Sequence, residues 1–210
     1  MGATVKLTDR TVTALLAAFK SPDPTPGGGS AAALAGAVGA ALLAMVASLP
    51  RPRAETEKDV ARLTAAGGQC AALSAELEAL VDRDSDAYHL VMVAYRQPKV
   101  TGEEKAARSA AIQAALRGAT AAPVAVMRAC AAAAEQGVVI AAGGNPSASS
   151  DLQVGFELLG AAARGAKLNV EMNLGSVKDP EYVGKTRGEV AGLESAIGHQ
   201  AEAARLALAR

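Results

Sequence analysis

Pro24-Thr25-Pro26-Gly27-Gly28-Gly29-Ser30 opens an uncharged run of Ala, Gly, Val, Leu and Met that extends to Leu49. The three glycines have no side chains, so a ligand or another backbone can approach their amides closely. Pro24 and Pro26 hold the entry extended and set the turn just before a helix. The first free N–H groups of that helix, with Ser30 beside them, form an anion-friendly end. Beyond the turn, Ala32, Gly36, Ala40, Ala44 and Ser48 recur every four residues as a face of small side chains, with Leu34, Val38, Leu42, Met45 and Leu49 elsewhere. A helix with such a face can lie very close to a neighbour. The stretch is therefore expected to be the central helix of the fold, with a ligand site at its N-terminus.

Three plainer readings compete with this one. Nothing between Asp23 and Arg51 is charged, and small-xxx-small spacing is a packing device of membrane helices. Alanine and glycine are only weakly apolar, however, and neither a second span nor a signal peptide is expected. A nucleotide-binding loop is disfavoured because no lysine follows the glycines and no strand precedes them. The third reading is a simple helix start with flexible glycines.

Half of the 210 residues are hydrophobic, and alanine dominates them, which favours closely packed helices over sheet. The length suffices for one large domain or two small ones. Basic and acidic residues balance at 21 each, so no global field points to nucleic acid or an acidic membrane. Aromatic content is 2%, which makes stacking platforms for bases improbable. Cys70 and Cys130 are widely spaced without nearby histidines, so neither zinc nor a disulfide framework follows, and a reducing cytoplasm fits.

Outward from the central helix, Thr8-Asp9 can cap a first helix carrying Val12, Leu15, Leu16 and Phe19 on one face. Pro50 and Pro52 stop the central helix. A long helical pattern runs from about Ala54 to Gln97, with Gly67-Gly68 as a soft point, and Pro98 closes it. Thr101 and Glu104 make a capping box for a helix reaching about Gln136, with Pro123 as a kink or break. After the Gly143–Ser147 loop, Ser150 and Gln153 fit a capping box for a helix through Leu152, Phe156, Leu159 and Val170. The last helix begins near Asp179-Pro180, and its Gly184, Gly188 and Gly192 suggest another close contact. No strand is expected. The chain reads as all-α, long antiparallel helices in one bundle domain over residues 1–210.

Two regions could carry chemistry. At helical spacing, Leu73, Leu77, Leu80, Tyr88, Val91 and Tyr95 share one side, and Asp84 falls within that stripe. Asp82, Asp86 and His89 fall nearly opposite, toward solvent or a polar partner. A carboxyl on a buried face is either paired with a structural donor or carries a raised pKa that suits acid–base work. The second region is Asn145 to Asn173. Asp151 at a helix start is favourable for dipole reasons alone. Asn169 and Asn173 stand one turn apart among apolar residues, where amides need partners, and a ligand with donors and acceptors is one of them. Lys99, Lys167, Arg51 and Arg53 are candidate carboxylate clamps, or solvated surface charges.

Three blocks carry a resemblance: Pro24 through Gly36; Val81-Asp82-Arg83-Asp84-Ser85-Asp86-Ala87-Tyr88 followed by Gln97-Pro98-Lys99; and Ser150 through Gly155 with Leu168 through Leu174. Together they resemble the folate cyclodeaminase/cyclohydrolase family, over nearly the whole chain. That family includes the C-terminal domain of formiminotransferase–cyclodeaminase and stand-alone methenyltetrahydrofolate cyclohydrolases. The resemblance implies an all-helical fold that dimerises and a folate pocket around the glycine turn, with Gly27, Gly28, Gly29, Ser30 and Lys99 as substrate contacts. It implies Asp84 as the catalytic carboxylate, with Asn145, Asp151 and Asn169 at or near the pocket. Better-known relatives carry a basic stretch with an aromatic residue after the central helix, where this chain has Pro50-Arg51-Pro52-Arg53-Ala54.

The implied function is a cytoplasmic one-carbon folate enzyme. One candidate reaction closes 5-formiminotetrahydrofolate to 5,10-methenyltetrahydrofolate with loss of ammonia. The other hydrolyses the methenyl bridge to 10-formyltetrahydrofolate. Both need proton transfers that a carboxyl in an apolar niche can make. No cofactor beyond the tetrahydrofolate is expected, no metal, and neither nucleic acid nor membrane as partner. The rival from another class is a catalytically silent folate- or partner-binding protein on the same scaffold.

Overall fold

The structure is a computed structural model describing residues 6–50 and 56–209, so Arg51 and Arg53 lie outside the described residues. Thr11, not Thr8 or Asp9, caps the first helix, α1 (Val12–Lys20), by accepting the Ala14 N–H. Leu15 is buried on it, whereas Val12 and Leu16 of the expected apolar face are exposed. Gly27 precedes α2 (Gly28–Ser48), which Leu49 and Pro50 terminate. Then α3 (Glu57–Tyr95) and α4 (Gly102–Gly143) form a long hairpin. A single 3₁₀ turn (Pro146–Ala148) leads into α5 (Ser149–Leu174), and α6 (Pro180–Leu208) closes the chain. The described residues contain no strand.

Local signals explain most boundaries. Thr101 and Glu104 make the expected reciprocal capping box at the start of α4, and Asp179 caps α6 through the Glu181 and Tyr182 amides. Ser150 does not cap α5, because the chain is already turning one residue earlier. Asn145 caps the 3₁₀ turn instead, accepting the Ser147 N–H at 2.9 Å. Pro123 lies inside an unbroken α4, which runs seven residues beyond the expected end at Gln136. Gly67-Gly68 is likewise no break. A Cβ on Gly67 would stand 2.7 Å from the Ala47 methyl, so this glycine marks a close crossing of α3 on α2.

Cross-helix contacts give the layout. Ser30 meets Val81 and Asp84, Ser74 bonds the Ala37 carbonyl, and Gly67 meets Ala47, so α2 and α3 run antiparallel. Gly28 sits by Asn169 and Gly39 by Gly155, so α5 is antiparallel to α2 on its other side. Arg117 pairs with Asp179 and Arg128 with Glu189, so α4 and α6 run parallel, a departure from a purely antiparallel bundle. The core is one continuous cluster drawn from all six helices.

In α2 the small residues Ala32, Gly36 and Ala40 point inward together with Leu43 and Val46, while Val38 and Met45 of the expected bulky set point outward. Gly36 is buried, and a Cβ there would meet Cys130 Sγ at 3.0 Å, Leu77 at 3.1 Å and Ala162 at 3.3 Å. Val38 and Met45 are exposed. The close approach expected of this face therefore occurs inside the subunit. In α6 no such contact occurs within the chain: a Cβ on Gly184, Gly188 or Gly192 would meet nothing within 4 Å. Two helices, Gly28–Ser48 and Gly102–Gly143, are long and apolar enough to cross a membrane, and 56% of each apolar window is buried inside the protein.

Candidate active site

The N-terminus of α2 abuts the middle of α3, and Asp84 stands at the junction. Its Oδ2 accepts the Ser30 backbone N–H at 3.0 Å, with the Ser30 hydroxyl 3.4 Å away. That hydroxyl also donates to the Val81 carbonyl at 2.8 Å and lies 3.3 Å from the Ser85 hydroxyl. Ser30 is fully buried. The fit depends on Gly29, where any Cβ would overlap the Asp84 carboxyl group. Gly28 and Gly27 are under no such constraint, because a Cβ at Gly28 reaches only ordinary contact with Asn169 at 3.6 Å. No glycine among the described residues has a positive φ. The Gly-Gly-Gly-Ser turn thus has one glycine that admits the carboxyl and two that leave the surface beside it open.

A cavity of about 340 Å³ lies at this junction, within the size range of small-molecule sites. Pro24, Thr25, Gly27 and Gly28 form one wall, and Asp84, Tyr88 and Val91 of α3 another. Ala119 of α4 and Asn169, Met172 and Asn173 of α5 complete it. Burial holds the Asp84 carboxyl above the ordinary carboxylate pKa, against the lowering effect of its two hydrogen bonds from Ser30. One oxygen is thus anchored by donors, and the group stays poised to hold or release a proton toward the cavity. Both structural and chemical readings of Asp84 describe part of this arrangement.

The expected site residues divide by position. Gly27, Gly28, Asp84 and Asn169 line the cavity, and Gly29 and Ser30 position Asp84. Asn145 and Asp151 do not join them. They lie where α4 ends and α5 begins, and the eighteen residues from Asp151 to Asn169 span about 27 Å of helix. Asn145 is occupied in capping, and Asp151 is exposed. Lys99 is exposed in the turn between α3 and α4, at the cavity's end of the bundle but outside its lining. Lys167 pairs with Glu194. Asp82 finds a polar partner, accepting the Leu7 N–H at 2.7 Å, and fastens the N-terminal segment.

Asn173, which the sequence singled out only as an amide in need of a partner, and Tyr88, which it placed only on the apolar stripe, also line the cavity. Each lies four residues from a recognised member, Asp84 or Asn169, and that spacing places both on the same helix faces. Elsewhere, burial pushes the Cys70 and Cys130 thiols up to about 12. No group of three or more metal-ligating acidic, histidine or cysteine side chains occurs among the described residues.

The geometry defines an all-helical protein with an acid-bearing small-molecule cavity at one end of the bundle. Residues 11–192 match the formiminotransferase-cyclodeaminase family, and the chain belongs to that family. It is 36% identical over 193 residues to a methenyltetrahydrofolate cyclohydrolase from Methylorubrum extorquens, covering 90% of this chain and 91% of that one. It is also 36% identical over 173 residues to the formimidoyltransferase-cyclodeaminase of Sus scrofa, but spans only 32% of that protein's length. A formiminotetrahydrofolate cyclodeaminase from Thermotoga maritima shares the fold, with a TM-score of 0.82 at 24% identity over 97% of this chain and 98% of that one.

Proposed function

We propose that the protein is a one-carbon tetrahydrofolate enzyme, with hydrolysis of the 5,10-methenyl bridge as its first reading. The observation that carries it is Asp84, anchored through one oxygen by Ser30 and held at a raised pKa on the cavity wall. The cyclohydrolase from Methylorubrum extorquens is matched along 91% of its length at 36% identity, which supports hydrolysis over deamination. In that reaction Asp84 takes a proton from water as its oxygen bonds to the methenyl carbon. It then returns the proton to N5 as the N5–carbon bond breaks, leaving 10-formyltetrahydrofolate. The net reaction consumes water and releases one proton. In the second reading, N10 attacks the formimino carbon and Asp84 protonates the nitrogen that leaves as ammonia. The identity to the Sus scrofa protein supports it. Each step is a proton transfer or a bond to carbon, so the folate itself is the reactive group.

A spectrophotometric assay with both substrates tests the proposal. Loss of methenyl absorbance is the result expected for hydrolysis, and its appearance from 5-formiminotetrahydrofolate would favour deamination. Folate binding by calorimetry without either turnover would leave the silent binder. Cys70 and Cys130, buried on separate helices as free thiols, support a reducing, cytoplasmic setting. We also infer a homodimer, formed on the outward stripe of α2. Val38 and Met45 are exposed there on a helix without a single charge, a surface costly to leave in water.

A further inference from the structure

Pro123 is the unexplained feature of α4. A proline within a helix has no N–H, so the carbonyl four residues earlier loses its helical donor. Here that carbonyl belongs to Ala119, and Ala119 is on the cavity wall. Asn173 of α5 reaches across and donates its Nδ2 to the Ala119 oxygen at 3.0 Å. The bond fixes which way the amide faces, since turning it over would set Oδ1 against a carbonyl oxygen. One turn earlier, Asn169 commits its Nδ2 to the Gly165 carbonyl at 3.0 Å. Both amides line the cavity with one N–H each engaged on the protein, and among the described residues neither Oδ1 accepts a hydrogen bond or is sealed from solvent. Asn169 and Asn173 therefore offer two acceptors, spaced one helical turn, to whatever occupies the cavity.

We propose that Asn173, oriented by the carbonyl that Pro123 leaves open, is a substrate-binding residue that accepts, with Asn169, from the amino-pyrimidine edge of the folate's pterin. Pro123 is then a positioning residue, acting through Ala119 and Asn173. The inference rests on the folate reading above. Along that edge N3–H and one N–H of the 2-amino group point the same way and the second amino N–H points away from them, so two separated acceptors can be met by N3–H and the outer amino N–H. The edge is remote from the one-carbon bridge, so its contacts govern binding before chemistry.

Pro123→Ala restores an N–H at position 123, which pairs with the Ala119 carbonyl and releases the Asn173 amide. The melting temperature is expected to hold or rise, while KM rises severalfold and kcat stays close to wild type. Asn173→Leu should raise KM by roughly tenfold, the worth of a hydrogen bond of this kind. The double variant should be no worse than Asn173→Leu alone. A folate analogue lacking the 2-amino group should bind wild type more weakly than folate, a gap that closes in Asn173→Leu. Side-chain amide NMR of Asn173 should show its hydrogen-bonded protons shifting in Pro123→Ala. Unchanged KM in Asn173→Leu, in a wild type that turns folate over, overturns this inference alone. Unchanged KM together with unchanged Asn173 amide signals in Pro123→Ala overturns the role of Pro123. If wild type neither binds nor converts a folate, the functional reading falls and this one with it. Should Pro123→Ala fail to fold, Asn173→Leu and the analogue decide the pterin contact.

Discussion

Asp84 and Gly29 act as one unit at the residue scale, because the carboxyl occupies the space a Cβ would take. Gly29→Ala should displace Asp84 from Ser30, lowering stability by about 1–3 kcal/mol through overpacking and reducing turnover at the same time. Gly28→Ala should fold normally and weaken only ligand binding, which thermal melting and calorimetry on both variants would separate. Asp84→Asn keeps an acceptor for Ser30 but cannot exchange a proton, and should lose at least about a hundredfold in kcat. Its stability follows from the sign of the shift. The folded pKa lies above the ordinary value of 3.8, so ionisation disfavours the native state. Wild-type stability should therefore fall as pH rises from about that value through the raised folded pKa, whereas Asp84→Asn shows no such fall. Urea melts of both proteins across that window check this. A variant markedly less stable than wild type at neutral pH would make the carboxyl chiefly structural.

Among the elements, α2 shows why apolar composition alone does not orient a helix. Its residues are apolar all round, and which face turns inward depends on how closely α3 and α5 approach. Gly36 and Gly39 let those helices come within reach of backbone: a Cβ on Gly39 would stand 2.9 Å from the Gly155 carbonyl oxygen. Val38 and Met45 are left on the outside, while Leu43 and Val46 pack inward farther along the helix. Gly36→Leu should cost at least about 1–3 kcal/mol by overpacking against Cys130 and Leu77, without changing the oligomeric state. Gly188→Ala, facing open space on α6, should leave stability unchanged or raise it, since alanine is the better helix former. Chemical denaturation of the two variants contrasts a packed with an unpacked glycine.

For the whole molecule, the cavity gathers α2, α3, α4 and α5 at one end of the bundle, while the outward stripe of α2 runs away from it. If two copies meet on that stripe, Val38→Glu combined with Met45→Glu should yield monomers in sedimentation velocity with little change in melting temperature. A wild type that is monomeric at micromolar concentration would refute the interface. An unchanged dimer in the double variant would move it to another surface, with the glycine side of α6 as the alternative.

Much of this was readable from the chain itself, for local reasons. The glycine turn, the Thr101–Glu104 box, the Asp179 cap and the four-residue spacings are short-range patterns, and they mark helices whatever packs on them. The three blocks of resemblance pointed to the family, and Asp84 stood out because a carboxyl in an apolar stripe is costly without a purpose. What the sequence could not supply depends on contacts between residues far apart in the chain. The resemblance put Asp151 and Asn169 at or near one pocket, yet about 27 Å of their shared helix separates them, and only Asn169 lines the cavity. Pro123 resembles a helix breaker until Asn173, fifty residues later, is seen to supply the missing donor. The inward face of α2 was decided by the helices that cross it, because packing distance is a property of the assembled fold.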